Sequence, residues 1–325
     1  PGAEPRPVTG SELMALLSRV ADRIYWAARY IERAEDSARV LRSFGELLAD
    51  IPNVDAANWQ PLVTIAGSDT EIETNGNGEE SQERLVVRFL MCDSEHGNSI
   101  HQTVESCRAN LRTCREVVPR EAWETVNDLT LYVRPNAARS LDRRPRDAFL
   151  ARVINDSRRL DGVMNSSMTR DEAFELWRLG RYIERADMTT RVVGVRAASL
   201  LALPHGAVDQ FAEVRWMSVL RSLSALQMYQ RASDGPIDGP EVVRFLLFDH
   251  RFPRSVAGCL TEVRSSLLRL PANDDVLRAL EHADQELYQS RPAADDGAAL
   301  DAAMERVQGA LANLHNALAE RYLHF

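Results

Sequence analysis

Apolar residues along the chain recur at helical intervals, and no segment alternates apolar and polar positions long enough to require a strand. A first long helix is expected from Thr9, where Thr-x-x-Glu (Thr9, Glu12) reads as a capping box, to about Ala49. With Ile31 at the centre of one face, Val20, Ile24, Ala27, Ala28, Ala34 and Ala38 fall on the same side, and the small residues permit close helix approach. The opposite side gathers Tyr25, Trp26, Arg29, Arg33 and Asp36, with Glu32 at its margin. Shorter helices are expected around 59–66, 81–91, 99–117, 119–134 and 146–165. A break at 50–53, an acidic Gly/Asn-rich loop at 67–80 and a polar connection at 93–98 separate the earlier ones. Ser99 with Gln102, and Thr169 with Glu172, form further capping-box patterns, the latter opening a second long helix.

That second helix carries a repeat. Arg-Tyr-Ile-Glu-Arg-Ala-Glu at 29–35 returns as Arg-Tyr-Ile-Glu-Arg-Ala-Asp at 181–187. Trp59 returns as Trp216, Val86–Leu90 as Val242–Leu246, Asp93 as Asp249, and Ser99-Ile100 as Ser255-Val256, all in the same order and roughly 155 residues apart. The expected architecture is an all-α, multi-helix bundle built from two internally duplicated repeats. Residues 1–8 form a proline-rich linker or tag remnant, 9–150 the first repeat, 151–166 the end of its last helix and a connection, and 167–325 the second repeat. The copies differ at two informative places, because Met188 matches Asp36 and Arg178 matches Trp26.

Composition narrows the function classes. With 39 Lys and Arg against 48 Asp and Glu, a net charge of −9 argues against the basic footprint that nucleic acid requires. The four cysteines, Cys92, Cys107, Cys114 and Cys259, show no Cys-x-x-Cys pair, so reduced thiols are expected. Cys92, His96, His101 and Cys107 match no standard zinc spacing, and their counterparts Phe248, Phe252, Ala257 and Val263 cannot ligate, so no metal site is expected. There is no apolar run of membrane-spanning length and no charged-then-apolar leader pattern, which makes a cytoplasmic location without membrane association the expectation. The start at Pro1 suits either a cut from a longer polypeptide or tag removal. A Gly-rich phosphate loop, a nucleophile elbow and a His-Glu-x-x-His pattern are all missing, so the chain itself is expected to bind no cofactor.

The runs Leu17–Ala21, Ile24-Tyr25-Trp26 and Arg29–Glu35, the second run Met168–Ala173 leading to Leu179–Thr189, and the Phe-Leu-x-x-Asp pieces at 89–93 and 245–249 together resemble the alpha-E family. The resemblance spans the chain from Leu17 onward. It implies an all-helical protein encoded beside, or fused to, a circularly permuted ATP-grasp ligase, near transglutaminase-like and proteasome-like enzymes, and acting in peptide modification or synthesis. ATP and Mg would then be used by the ATP-grasp partner, with a peptide or amino acid as substrate. His250-Arg251-Phe252 departs from the more polar turn expected there.

Two readings of the repeated motif stay open. Helical spacing puts Arg29 near Glu32 and Arg33 near Asp36, so the charges could satisfy one another along a partly buried face. Alternatively Arg29, Arg33, Arg181 and Arg185 act as bidentate clamps for a carboxylate or phosphate, with Glu32 and Glu184 orienting those forks or binding an amine. Tyr25, Trp26, Asp36, Asp93 and Asp249 are secondary candidates, Asp93 and Asp249 being better suited to organising the turn before a helix than to acid-base chemistry. The first function class, which the resemblance and the absence of nucleotide motifs imply, is a helical partner of an ATP-grasp amide ligase that binds or presents a peptide-like substrate. The second is an enzyme performing acyl or amino transfer in a pocket between the two Glu-Arg helices.

Overall fold

A computed structural model describes residues 10–50, 59–72, 80–197, 211–233, 235–289 and 296–323. The linker at 1–8, the Thr9 half of the first capping box, the 51–53 part of the break, part of the acidic loop and Phe325 lie outside the described residues. Every regular element among the described residues is helical.

The chain runs through α1 (Gly10–Asp50), α2 (Gln60–Ile65), α3 (Gln82–Cys92), α4 (Ile100–Arg112), α5 (Arg120–Asn136) and α6 (Arg143–Ser167). It continues through α7 (Glu172–Val192), α8 (Ala212–Ser222), α9 (Leu226–Ala232), α10 (Gly239–Phe248), α11 (Val256–Leu267), α12 (Asp274–Gln289) and α13 (Gly297–Leu318). Single π turns extend α7 at Val193–Ala197 and α13 at Ala319–Leu323.

Local chemistry sets the boundaries. The Ser99 hydroxyl accepts from the Gln102 amide (3.2 Å) and Ser255 accepts from Gly258 (2.9 Å), each occupying a donor that the helix start leaves without a partner. The second long helix is capped by Asp171, whose carboxylate accepts from the Phe174 amide (3.2 Å), rather than by Thr169. An aspartate two residues nearer the apolar run presents the stronger acceptor, so the helix begins at Glu172. The helix expected over 99–117 ends at Arg112, since a turn precedes Pro119, which fixes the entry into α5.

The two motif helices form the interior. α1 packs against α7, α4, α6 and α8, while α7 packs against α1, α11, α13 and α2. Both faces of α1 are therefore buried. The side carrying Ile31, Ala27, Ala28, Ala34 and Ala38 is covered as its pattern requires, but so are Tyr25, Glu32 and Asp36 opposite. Close approach is possible because α7 presents Gly180, where an added Cβ would sit 2.4 Å from the Tyr25 carbonyl oxygen and 3.0 Å from the Ala28 Cβ. At the C-terminus Leu323 is buried and its carbonyl accepts from the Ser18 hydroxyl (3.3 Å), so this end packs on its own bundle.

Candidate functional site

Where α1 crosses α7, the charged residues of the two motifs face one another. Arg29 Nε donates to Glu184 Oε2 (2.7 Å), and Arg33 donates to both oxygens of the same carboxylate through Nε (2.5 Å) and Nη2 (3.0 Å). In the reciprocal direction Arg181 donates to Glu32 Oε2 through Nε (2.8 Å) and Nη2 (2.5 Å). Arg185 completes the set, donating to Glu32 Oε1 through Nε (2.7 Å) and to Oε2 through Nη2 (3.1 Å). Each glutamate is thus held by both arginines of the other motif.

The Arg29–Glu32 and Arg33–Asp36 pairings expected within α1 are not what form. Glu32 turns to α7, and Asp36 pairs with Arg39 and with Arg254 Nη1 (3.0 Å) instead of Arg33. The physical reason is burial. A buried carboxylate needs several donors, and the facing helix supplies two guanidinium forks where a neighbour on its own helix supplies one.

Two sets of residues extend the crossing, and the repeated motif alone did not point to them. Arg254 contacts Glu32 Oε1 (3.0 Å), Asp36 and Glu35 Oε1 (3.4 Å), and Arg39 Nη1 donates to Glu35 (2.8 Å). Arg254 stands immediately before the recurring Ser255, in the register that Asn98 holds before Ser99. Asn98 accepts from Arg33 Nη1 (2.6 Å), and the Pro253 carbonyl accepts from Arg185 Nη1 (3.3 Å). The residue before each recurring serine was therefore the available signal. Asp161 pairs with the remaining nitrogen of Arg181.

Electrostatics follow from this packing. Burial disfavours ionisation of Glu184, yet Arg33 and Arg29 outweigh it and hold the carboxyl at about 2, below the ordinary 4.5. Glu32, equally buried, is held well below its ordinary value by Arg181, Arg185 and Arg254. Asp36 behaves oppositely. Burial dominates over Arg39, with Glu32 and Glu35 adding repulsion against the pull of Arg254, and the group rises to about 6. One oxygen of Asp36 is buried without a hydrogen-bond partner. Burial, with repulsion from Arg39 and Arg185, lowers Arg254.

The secondary candidates take separate places. Tyr25 is fully buried, its hydroxyl 2.8 Å from His315 Nδ1 and its ring stacked on the His315 ring. Burial raises its pKa. Trp26 is half-buried between His315 and Tyr30, with the Arg29 guanidinium 5.4 Å above its ring. Asp93 and Asp249 lie in turns away from the crossing. Asp93 Oδ1 accepts from Glu95 N (2.8 Å) and His96 N (3.1 Å), and Asp249 Oδ1 accepts from Arg251 N (2.8 Å) and Phe252 N (3.1 Å). The unexpected Phe252 is buried and stacks on Phe245 at 4.8 Å, in the arrangement by which His96 stacks on Phe89 at 4.0 Å. That shared ring stack explains why an apolar residue is accommodated in the second turn. Among the described residues no group of three or more His, Cys, Asp or Glu is arranged to hold a metal ion.

Reciprocal Glu-Arg pairing on an all-helical scaffold is the feature by which comparison with known proteins can be read. A family model described as a predicted alpha-helical domain with a conserved ER motif matches residues 16–323. The chain belongs to the Alpha-E family. Its similar relatives include uncharacterized proteins of Mycobacterium bovis and Mycobacterium tuberculosis strain CDC 1551, each 25% identical over 341 residues. Each alignment covers 98% of this chain and 38% of the relative, so the chain spans well under half the length of these proteins. No solved structure matches. No described helix of this Alpha-E protein is long and apolar enough to cross a membrane.

The crossing can do one thing well, which is to lock two helices together. Its four motif arginines are all committed to glutamate, and cavities of about 680, 590 and 320 Å3 among the described residues are lined by other side chains. Both oxygens of each glutamate already accept from guanidinium donors, and their low pKa values suit permanent counter-ions better than proton carriers.

Proposed function

We propose that this Alpha-E protein is a helical partner of an ATP-grasp-type amide ligase and helps to hold or present a peptide-like or amino acid substrate. The observation that carries this reading is the mutual neutralisation of the two motifs, which makes the Glu-Arg signature a clasp between α1 and α7 instead of reacting groups. In this reading ATP and Mg are handled by the ligase, fused or separate, and the helical chain supplies a rigid surface. The greater length of the mycobacterial relatives leaves room for a further domain in those proteins. The reading places the protein in the cytoplasm, without nucleic acid.

The clasp also supports descent from two tandem repeats. The pairings of α1 with α4 and α6 are matched by those of α7 with α11 and α13, and α4 with α5 by α11 with α12. The near two-fold exchange of Glu32 for Glu184 is what duplication followed by pairing of the copies would leave. On this view the first repeat ends with α6 and the second begins with α7.

The alternative, acyl or amino transfer by the chain alone, has one observation in its favour. Asp36 combines a raised pKa with an unpaired oxygen. Its full burial speaks against access to a substrate.

The test is co-expression with an ATP-grasp protein encoded beside or fused to this chain, gel filtration of the pair, and assay of ATP-dependent amide formation with and without the helical chain. Co-elution and dependence of product on both proteins are expected. Separate elution together with turnover by the helical chain alone would overturn the proposal.

A further inference from the structure

The exposed flank of α7 borders a cavity of about 590 Å3 whose wall carries three arginines, Arg170, Arg178 and Arg269. Only one carboxylate, Glu175, lines it with them. Glu175 is buried and divided between two of the three, with Oε2 3.1 Å from Arg178 Nη1 and Oε1 2.9 Å from Arg269 Nη1. Arg178 also reaches Glu262, outside the cavity lining.

Arg170 is different. Its Nη2 donates to the Asn165 carbonyl (2.5 Å), and its guanidinium lies 3.9 Å from the centre of the buried Phe174 ring, but it meets no carboxylate among the described residues. Three guanidiniums therefore face two carboxylates, leaving one positive charge uncompensated on a chain whose net charge is −9. Composition does not produce such a concave positive spot; placement does.

The spot is also pre-formed. Glu175 fixes two forks and the Phe174 ring seats the third, so an incoming anion would not have to order them. Tyr182 closes one side, with Arg178 5.8 Å from its ring centre. In the register of the repeated motif Arg178 stands where the first motif has Trp26, so the positive wall belongs to the second motif alone.

We propose that this cavity is a binding site for a small oxyanion, carboxylate or phosphate, with Arg170 as its open contact and Arg178 and Arg269 as pre-oriented donors. Planar guanidinium forks match either anion, and an aromatic floor favours a ligand with an apolar or planar portion beside the charge. The site stands on its own geometry and does not rest on partnership with a ligase.

Isothermal titration calorimetry of the full chain with inorganic phosphate, and separately with succinate, at constant ionic strength tests the proposal. At least one probe is expected to saturate at one site per chain. Saturation by succinate alone assigns a carboxylate ligand and saturation by phosphate alone a phosphate one. Arg170→Gln should weaken the bound probe by about tenfold or more, as loss of a charged hydrogen-bonding group does. Arg278→Gln, which removes an exposed arginine on α12, should leave affinity unchanged. If Arg170→Gln loses the helical circular dichroism of the parent, Arg269→Gln decides in its place with the same expected weakening. Failure of both probes to saturate, or unchanged affinity in the folded variant, overturns the proposal.

Discussion

Glu32→Gln tests whether the Glu-Arg crossing is what holds the bundle together. The substitution keeps the side-chain shape but replaces a carboxylate that accepts four guanidinium hydrogen bonds and lies 3.0 Å from a third arginine, Arg254. The amide retains one acceptor oxygen and turns an NH2 donor toward other donors. Removing one partner of a buried ion pair leaves the remaining charge uncompensated and costs about 3–5 kcal/mol. Here Arg181, Arg185 and Arg254 are all more than nine-tenths buried; Arg181 keeps Asp161 and Arg254 keeps Asp36 and Glu35, so the uncompensated charge falls on Arg185. At about 1.5 °C of melting temperature per kcal/mol for a chain of 325 residues, the midpoint should fall by roughly 4–7 °C. Glu184→Gln should cost less, about 2–3 kcal/mol, because the Arg33 side chain is 18% exposed and can turn outward. Thermal and urea melts followed by far-ultraviolet circular dichroism measure both. A loss below about 1 kcal/mol for Glu32→Gln, or a larger loss for Glu184→Gln, would refute the reasoning.

Three further outcomes follow from the same geometry. Gly180→Ala should destabilise by about 1–3 kcal/mol despite the higher helix propensity of alanine, since its Cβ would meet the Tyr25 carbonyl, and a neutral or stabilising result in urea melts would contradict that contact. Because Asp36 is raised from 3.8 to about 6, its contribution is fully present below pH 3.8 and lost as pH rises through 6, whereas that of Glu184 is present above pH 4.5 and lost as pH falls through about 2. Asp36→Asn should therefore flatten the fall in stability between pH 4 and 6, and an unchanged slope in melts across that range would exclude the assignment. Cys107 and Cys259 are buried, with Cys259 pushed up to about 12 by burial, so a thiol reagent at pH 8 should modify them only after denaturation; labelling of both at the unfolded rate in the native chain would show the packing to be wrong.

The sequence by itself determined the helical class, because its apolar period is 3.6 throughout, and it determined the motif, the Ser99 cap with its recurrence at Ser255, and the turn aspartates, because each acts within a few residues of itself. Ile31 and its alanine neighbours were legible as a packing face for the same reason. What tertiary structure alone decided is where the charges go. Helical spacing offers Glu32 one arginine on its own helix, whereas the crossing at Gly180 brings two from α7 and places Arg254 beside them. The same crossing buries the face that the pattern assigned to polar residues, so Tyr25, Glu32 and Asp36 lie inside the bundle. A local period records which residues share a side of one helix. It does not record which second helix covers that side, and burial, not spacing, sets how many donors each carboxylate requires.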